Sequence, residues 1–233
     1  MKKTLLIFAA LLSASAFAEV TDVPSIDPKM TILYPEDKSG AATDYNGDAP
    51  MTARFEANAD CAGYDPHYEW TIKKQGETKA IITRPDADIE YTFTEFGTFE
   101  VNLVVMFSKG ADEVELQMDK PFVVSINDSN LELPNAFSPN GDGQNDIFKV
   151  KNTTRSLVEF KACVYNRWGR LLYTWTDWKN GGWDGTVGGN GGAKCPDGAY
   201  FLHVVAKGAD GRKYNKRITI NILTGYHLEN GEE

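Results

Sequence analysis

The sequence predicts an all-β protein made of two antiparallel β-sandwich domains in tandem. Short runs alternate apolar and polar residues with a period of two, which is the pattern of strands buried on one face. Turn residues separate these runs at close intervals, and no stretch has the periodicity of an amphipathic helix. One segment, Leu133–Phe148, concentrates prolines, glycines and Asn/Asp residues, and it marks the boundary between the two domains.

The N-terminus has the three parts of a secretory signal peptide. Two lysines precede the apolar run Leu5–Leu12, and Ala16-Phe17-Ala18 provides a cleavage site with small residues at its outer positions. The apolar run is too short to span a bilayer. We therefore expect residues 1–18 to be removed, residues 19–29 to form a lead-in, and the protein to be exported without direct insertion into a membrane.

Charge and cysteine content limit the classes of partner and site. The chain has 24 basic and 33 acidic residues, a net charge of −9, which argues against binding to nucleic acid or anionic lipid. Export permits disulfides, and Cys163 and Cys195 could pair within the second domain, leaving Cys61 free. Spacing alone leaves this pairing open. The sequence contains no C-x-x-C motif, so it does not indicate a structural metal site.

Residues 30–128 predict the first sandwich. In Met51–Ala57 the odd-numbered residues are apolar and the even-numbered residues are polar, so one face is buried. Residues 44–50 are expected to be a turn or loop. Trp70 is expected to be a core anchor, with stacking on a carbohydrate as the alternative. Further strands are expected at Met30–Tyr34, Tyr68–Ile72, Ala80–Thr83, Glu90–Phe93, Phe99–Val105, Val114–Met118 and Phe122–Ile126.

Three segments of this first domain resemble a PKD-type immunoglobulin-like module. They are Gly47–Pro50 leading into Arg54–Ala57, then Tyr68-Glu-Trp70, then Tyr91–Leu103. The resemblance covers most of residues 30–126. It implies an immunoglobulin-like sandwich that acts as a spacer or as a contact surface for protein or glycan, and not as an enzyme.

Residues 131–223 predict a second sandwich of short strands. Leu131–Asn135 is expected to be an edge strand, because Pro134 and Pro139 remove backbone donors. The glycine-rich stretch 180–192 is expected to be a loop anchored in the core by Trp183. Other strands are expected at Asp146–Val150, Leu157–Asn166, Leu171–Trp175, Ala199–Ala206 and Arg212–Leu223.

This second domain closely resembles the gliding-motility-associated C-terminal domain, or type B sorting domain, of Bacteroidetes type IX secretion. Five segments occur in the order of that family, the last being Lys216–Ile220. The signature residues of the other four are Pro134, Asn135, Phe137, Pro139, Asn140, Gly141, Asp142, Gly143, Asn145 and Asp146; Asn166, Arg167, Trp168 and Gly169; Trp183, Asp184 and Gly185; and Pro196, Asp197, Gly198 and Tyr200.

The resemblance implies a route and a partner. The protein would pass through Sec to the periplasm, and the secretion machinery would recognise the folded domain. It would then be held at the outer membrane or cell surface, with an outer-membrane barrel of the SprF/PorP type among its partners. The acidic tail, residues 224–233, departs from the family, which usually ends soon after the last strand.

Three groups of signature residues have two interpretations each. Asn140, Asp142, Asn145 and Asp146 could bind calcium through their oxygens, or they could be ordinary turn residues. Arg167 and Trp168 could form a cation–π recognition patch, or Trp168 could pack in the core while Arg167 pairs with a carboxylate. Asp184 could act in catalysis, although a turn-capping role fits its neighbours better.

No motif of a known catalytic class occurs, and no cofactor other than calcium is indicated. The sequence therefore favours a non-enzymatic exported protein of the type IX secretion and gliding system. Because the only payload is one small spacer-like domain, we expect an accessory subunit that docks on the barrel. The alternatives are a small surface adhesin, whose first domain binds protein or glycan, and a small hydrolase.

Overall fold

A computed structural model describes residues 23–33 and 40–224. The predicted signal peptide, the first part of the lead-in, Tyr34 and residues 225–233 lie outside the described residues. The described ranges form seventeen strands and no helix, which confirms the all-β prediction. No helix within them is long and apolar enough to cross a lipid bilayer.

The first twelve strands form two facing sheets and one short strand pair. Strands β3-β2-β5-β9 make a four-stranded sheet, and β4-β12-β10-β7-β8 make a larger sheet, to which β11 adds by pairing with β10. Strands β1 and β6 pair with each other. The bounds are β1 (Ser25–Ile26), β2 (Lys29–Leu33), β3 (Gly40–Ala42), β4 (Asp44–Gly47), β5 (Met51–Glu56), β6 (Ala59–Asp60), β7 (Asp65–Lys74), β8 (Ala80–Arg84), β9 (Asp88–Phe93), β10 (Gly97–Lys109), β11 (Asp112–Gln117) and β12 (Phe122–Ile126).

The core of this domain follows the predicted alternation. In β10 every second residue from Phe99 to Phe107 is buried, and the inward side chains of β5 are buried as well. Trp70 is completely buried against Phe55, with ring centroids 5.8 Å apart, and its indole N–H donates to the carbonyl of Ala87. This confirms the core-anchor interpretation, and the buried ring cannot stack on a carbohydrate.

The sequence prediction missed four short strands of the first domain, β1, β3, β4 and β6, and β4 is the instructive one. Residues 44–47, expected to be part of a turn or loop, form β4, which pairs in parallel with β12. The strand is short and bonds to a single neighbour through its backbone, so it needs no alternation of apolar and polar residues. Only Tyr45 of its four residues packs against the core.

The second domain contains five strands, and six strand segments were predicted. They are β13 (Ala136–Phe137), β14 (Leu157–Tyr165), β15 (Leu171–Trp175), β16 (Gly198–Gly208) and β17 (Lys213–Ile222), in the order β13-β17-β16-β14-β15. Strand β13 pairs in parallel with β17, and the other pairs are antiparallel.

The second layer of this domain consists of irregular segments that lie on the sheet. The strand predicted at Asp146–Val150 is absent, and Phe148 instead forms a single antiparallel bridge with Trp183. The expected edge strand at Leu131–Asn135 is displaced to Ala136–Phe137, between two prolines that lack backbone donors. Single bridges therefore replace full strands in this layer.

The short link between the domains, residues 127–130, is bonded to both of them. Asn127 donates to the Asp48 carboxylate of the first domain, and Asp128 forms an ion pair with Arg155 of the second, with N and O 2.6 Å apart. The Ser129 hydroxyl, which is fully buried, donates to the Asp210 carboxylate at 2.7 Å. The link is therefore fixed by its own side chains.

Direct contacts between the domains reinforce the link. The Ser156 hydroxyl, also fully buried, accepts a hydrogen bond from the Ala49 N–H at 3.2 Å. Ala209 packs against the first core, and its carbonyl accepts from the Phe96 N–H. Because the buried Ser156 hydroxyl has its partner in the first domain, opening the joint would leave the Ala49 N–H without its acceptor. The domains are thus joined as one body rather than by a free linker.

Candidate functional site

Aromatic side chains from separate signature segments meet inside the second domain. The ring of Phe137 lies 5.7 Å from that of Phe148 and 5.4 Å from that of Trp183, measured between centroids. Trp183 in turn lies 5.3 Å from Tyr200. All four rings are buried. The spacing of the signature along the chain therefore corresponds to one aromatic core, as expected for Phe137 and Trp183.

The Trp183-Asp184-Gly185 segment fixes the glycine-rich loop onto that core. The backbone of Trp183 exchanges two hydrogen bonds with Phe148, and its indole N–H donates to the Thr186 carbonyl at 2.8 Å. The Asp184 carboxylate accepts bonds from the hydroxyl and N–H of Thr186 and from the N–H of Gly191. These are the contacts of a turn cap, and none of them is made with a second acid or base.

The electrostatics of Asp184 agree with a capping role. Burial on its own raises the pKa of this carboxyl, but the hydrogen bonds from Thr186 and Gly191 outweigh burial and leave the pKa below its ordinary value. Asp184 is therefore an anionic acceptor that stabilises its loop.

Gly185 is required at the closest approach of two signature segments. Its φ is +78°, which favours glycine, and a Cβ at this position would lie 3.0 Å from the Pro139 side chain and 3.5 Å from the Phe137 ring. Its carbonyl accepts the N–H of Cys195. A side chain at Gly185 would push apart the first and third signature segments.

The Pro196–Tyr200 segment holds the end of the last strand. The Tyr200 hydroxyl donates to the Pro196 carbonyl at 2.7 Å, and the Asp197 carboxylate accepts bonds from the N–H and hydroxyl of Thr224. The Ser138 hydroxyl, from the first segment, donates to the carbonyl of Leu223 at 2.8 Å. The first and fourth segments thus close the domain around the residues that follow β17.

These segments belong to one folded unit and not to separate surface loops. Residues 131–221 match the family model of the CHU_C Type IX secretion signal domain. The match confirms the resemblance of the second domain, and residues 131–221 are called the signal domain below. The signal domain implies that the protein is sorted by type IX secretion, that it interacts with that machinery, and that it reaches the cell surface or is attached to the outer membrane.

Other comparisons add little to this result. No curated protein matches the sequence. Among solved structures, the chicken CNTN1 FN1–FN3 domains are 10% identical with a TM-score of 0.28, covering 77% of this chain and 64% of theirs. A tetra-tandem repeat from the extending region of a large adhesion protein is 12% identical with a TM-score of 0.26, covering 87% of this chain and 68% of its own.

The Asn140–Asp146 loop of the signal domain bonds its oxygens to its own backbone. The Asp146 carboxylate accepts the N–H groups of Gly141 and Gly143 at 2.6 and 2.7 Å, and the Asp142 carboxylate accepts that of Gln144 at 2.7 Å. The Asn140 side chain accepts the N–H of Asp142. Asn145 contributes its carbonyl to Ser138 and has a φ of +54°. These contacts support the turn interpretation of the loop over calcium binding.

The described residues offer no separate metal site. No three His, Cys, Asp or Glu side chains among them gather into a group that could hold a metal ion.

The pairing of Cys163 with Cys195, which the sequence left open, is not formed in the structure. Both are free thiols, as is Cys61. Cys163 projects from β14 between the inward residues Ala162 and Val164, so it lies on the outer face of the sheet. Cys195 packs against the buried core on the inner face. The sheet itself separates the two thiols.

The Asn166–Gly169 turn presents Trp168 to solvent, contrary to the interpretation that this ring packs in the core. The Trp168 side chain is 75% exposed, and the Arg167 guanidinium lies 4.2 Å from the centroid of its ring. The Asn166 side chain accepts the N–H groups of Trp168 and Arg170, both at 3.0 Å, and Gly169 has a φ of +79°. The cation–π interpretation is therefore the correct one.

Beside this turn, the outer face of the sheet carries residues that the sequence analysis did not single out. Cross-strand pairing places Thr219, Phe201, Tyr165 and Leu171 in one row over β17, β16, β14 and β15. Phe201 is 48% exposed and Leu171 is 51% exposed. The signal was present in β16, where inward Tyr200, Leu202 and Val204 leave the residues between them facing outward.

Tyr165, Phe201 and Thr219 of this row, together with Asn166 and Gly169 of the turn, line a shallow groove of about 530 Å³. It is called the outer-face groove below. Its wall is formed by the turn, and its floor by Tyr165 and Phe201, with His203 and Arg217 in the next row. The pKa of Tyr165 is raised, first by a hydrogen bond with Cys163 and then by desolvation. The groove is an apolar and basic surface, and it holds no arrangement of nucleophile, acid and base.

Proposed function

We propose that this protein is a non-enzymatic accessory subunit of the type IX secretion and gliding apparatus. Sec carries it to the periplasm, and its signal domain then holds it at the outer membrane through a SprF/PorP-type barrel. The observation that carries the proposal is the match of residues 131–221 to the type IX secretion signal domain, which within the described residues is accompanied by one small sandwich.

Two features of the molecule support a structural role. The polar signature residues described above, Asp184 and Asp197 among them, bond to backbone within the domain instead of converging on an open pocket. The bonds from Ala49 to Ser156 and from Phe96 to Ala209 fix the first domain to the signal domain. A partner that grips the signal domain would therefore hold the first domain in a defined orientation, which suits a subunit of an assembly.

The adhesin alternative finds less support. A glycan-binding first domain is expected to expose a groove of aromatic rings. Among the described Phe, Tyr and Trp side chains of this domain, only that of Phe96 is exposed. The Phe96 N–H is bonded to Ala209 of the signal domain, at the joint.

The test is affinity purification of the full chain from outer membranes of a type IX-competent Bacteroidetes strain. The tag is inserted in the β10–β11 turn, residues 110–111, at the end of β10 opposite the joint. We expect a SprF/PorP-type barrel to co-purify in a near-stoichiometric amount, and the tagged protein to be lost from the outer membrane in a strain that lacks the barrel. Normal retention in the barrel-deficient strain, with no barrel in the purified complex, would refute the proposal.

A further inference from the structure

The outer-face groove and the turn beside it carry Phe201 and Trp168, the exposed aromatic side chains among the described residues of the signal domain, and the folding of the domain does not account for their exposure. We propose that this groove is the docking surface for the type IX partner, and that the docked element is a protein segment with apolar side chains flanked by carboxylates. This inference rests on the proposed function and adds to it the part of the surface that is used.

Exposure and residue type give the first argument. Trp168, Leu171 and Phe201 are 75%, 51% and 48% exposed. Leu171 and Phe201 lie on either side of Tyr165 in the sheet, and Trp168 is in the turn that follows Tyr165. Exposed apolar side chains scattered singly are ordinary, but a contiguous group marks an interaction site. Trp, Tyr and Arg are also the residue types that dominate binding energy in protein interfaces.

Preorganisation gives the second argument. The turn that carries Trp168 is held by two N–H bonds to the Asn166 side chain and by the positive φ of Gly169. The guanidinium of Arg167 lies over the exposed ring at 4.2 Å, so the ring has one supported orientation before any partner arrives. An anchor that is already ordered loses little conformational entropy on binding.

Charge identifies the chemistry of the occupant. The whole chain has a net charge of −9, yet the turn contributes Arg167 and Arg170, and Arg217 lines the groove. Among the described residues that line it, none is an Asp or Glu. A basic rim around an apolar floor is complementary to an apolar segment with flanking carboxylates, and it would attract that segment from a distance.

Position in the fold places the groove away from the first domain. Strand β16 runs from Gly198 at the groove end to Gly208, whose backbone lies against Ser129 at the joint with the first domain. The groove is therefore at the end of the signal domain that points away from the first domain. The residues that follow β17, Leu223 and Thr224, leave the sheet at this same end.

The test measures binding of the full mature chain to a purified SprF/PorP-type barrel in detergent or nanodiscs. We expect Trp168→Ala and Phe201→Ser each to raise the Kd by about tenfold or more. Arg217→Glu should weaken binding by a similar factor and reduce its dependence on salt between about 0.1 and 1 M. Val205→Ser is the matched control, because Val205 is 48% exposed on the same face of the same strand but lies toward the joint.

The outcomes separate the surface from the proposed function. If the wild-type chain does not bind the barrel, both are refuted. If the wild-type chain binds, and the Trp168 and Phe201 variants bind as tightly as the wild type or lose no more affinity than the Val205 variant, the proposed function stands and the groove is not the docking surface. Binding of the chain to anionic lipid vesicles that is abolished by Trp168→Ala would also overturn the inference, because the occupant would then be a membrane. Unchanged melting temperatures of all variants are expected and exclude unfolding as the cause.

Discussion

Trp183 and Trp168 lie in the same domain, and the same substitution is expected to lower stability strongly at Trp183 and hardly at all at Trp168. Trp183 is completely buried between Phe137 and Tyr200, whereas Trp168 is 75% exposed in a surface turn. Trp183→Ala removes a large ring from a packed core, and Trp168→Ala removes one from solvent. The pair therefore tests whether the signature tryptophan of the third segment is structural.

The magnitude follows from the contacts of each ring. Truncation of a buried Trp to Ala costs about 3–5 kcal/mol. Trp183→Ala also leaves the buried Thr186 carbonyl without its donor, so the upper part of that range, about 4–5 kcal/mol, is expected. In a domain of this size, each kcal/mol lowers the melting temperature by about 4–8 °C, which predicts a fall of about 15 °C or more. Trp168→Ala is expected to change stability by less than about 0.5 kcal/mol.

Differential scanning calorimetry of the mature chain measures both variants against the wild type. The transition that contains the signal domain should move to much lower temperature only for Trp183→Ala. If the two variants melt together, or if Trp183→Ala melts within about 3 °C of the wild type, the aromatic cluster is not what stabilises the domain.

Four further outcomes are expected. Hydrogen bonds hold the pKa of Asp184 below its ordinary value, so the contribution of this carboxylate to stability is present above about pH 4 and is lost as the pH falls through the folded pKa. The melting temperatures of the wild type and Asp184→Asn should therefore converge in acid. A difference that stays constant with pH would contradict this. Gly208→Ala places a Cβ 2.0 Å from the Ser129 hydroxyl and should destabilise the joint by about 1–3 kcal/mol, measured as separation of the two domain transitions. Removing calcium with a chelator should leave the melting temperature unchanged, whereas Asp146→Ala should lower it, since two N–H groups lose their acceptor. Alkylation of the unfolded, unreduced protein should label all three cysteines, and a mass that lacks two labels would show a disulfide.

Sequence patterns predicted the strands that are buried on one face and long enough to show their alternation. Strands β5, β10 and β12 were found within a few residues of their actual bounds, because each has three or more apolar residues in strict alternation. The patterns did not predict elements whose strand pairing depends on backbone hydrogen bonds alone. Strand β4 pairs in parallel along one edge, and the segment 146–150 makes only a single bridge at Phe148.

The candidate site was predicted unevenly for a similar reason. The resemblance identified the buried signature residues, such as Phe137 and Trp183, because packing demands particular residue types at those positions. It did not reveal which aromatic side chains point outward. Trp168 was expected to be in the core, and the row formed by Tyr165 and Phe201 becomes evident only when the strand register is known. The cysteine pairing failed because two residues can be close in a domain and still lie on opposite faces of a sheet.

The parallel pairing of β13 with β17 has a consequence for when the domain can be recognised. The first strand of the signal domain has no neighbour in its sheet except the last one, so Ala136 and Phe137 stay unpaired until Asn221 and Ile222 have been synthesised. A chain that ends before β17 also leaves an edge of β16 open. This sheet can therefore close only after translation of the domain is complete. A secretion machinery that recognises only the closed fold would reject truncated chains without the need for a separate recognition sequence.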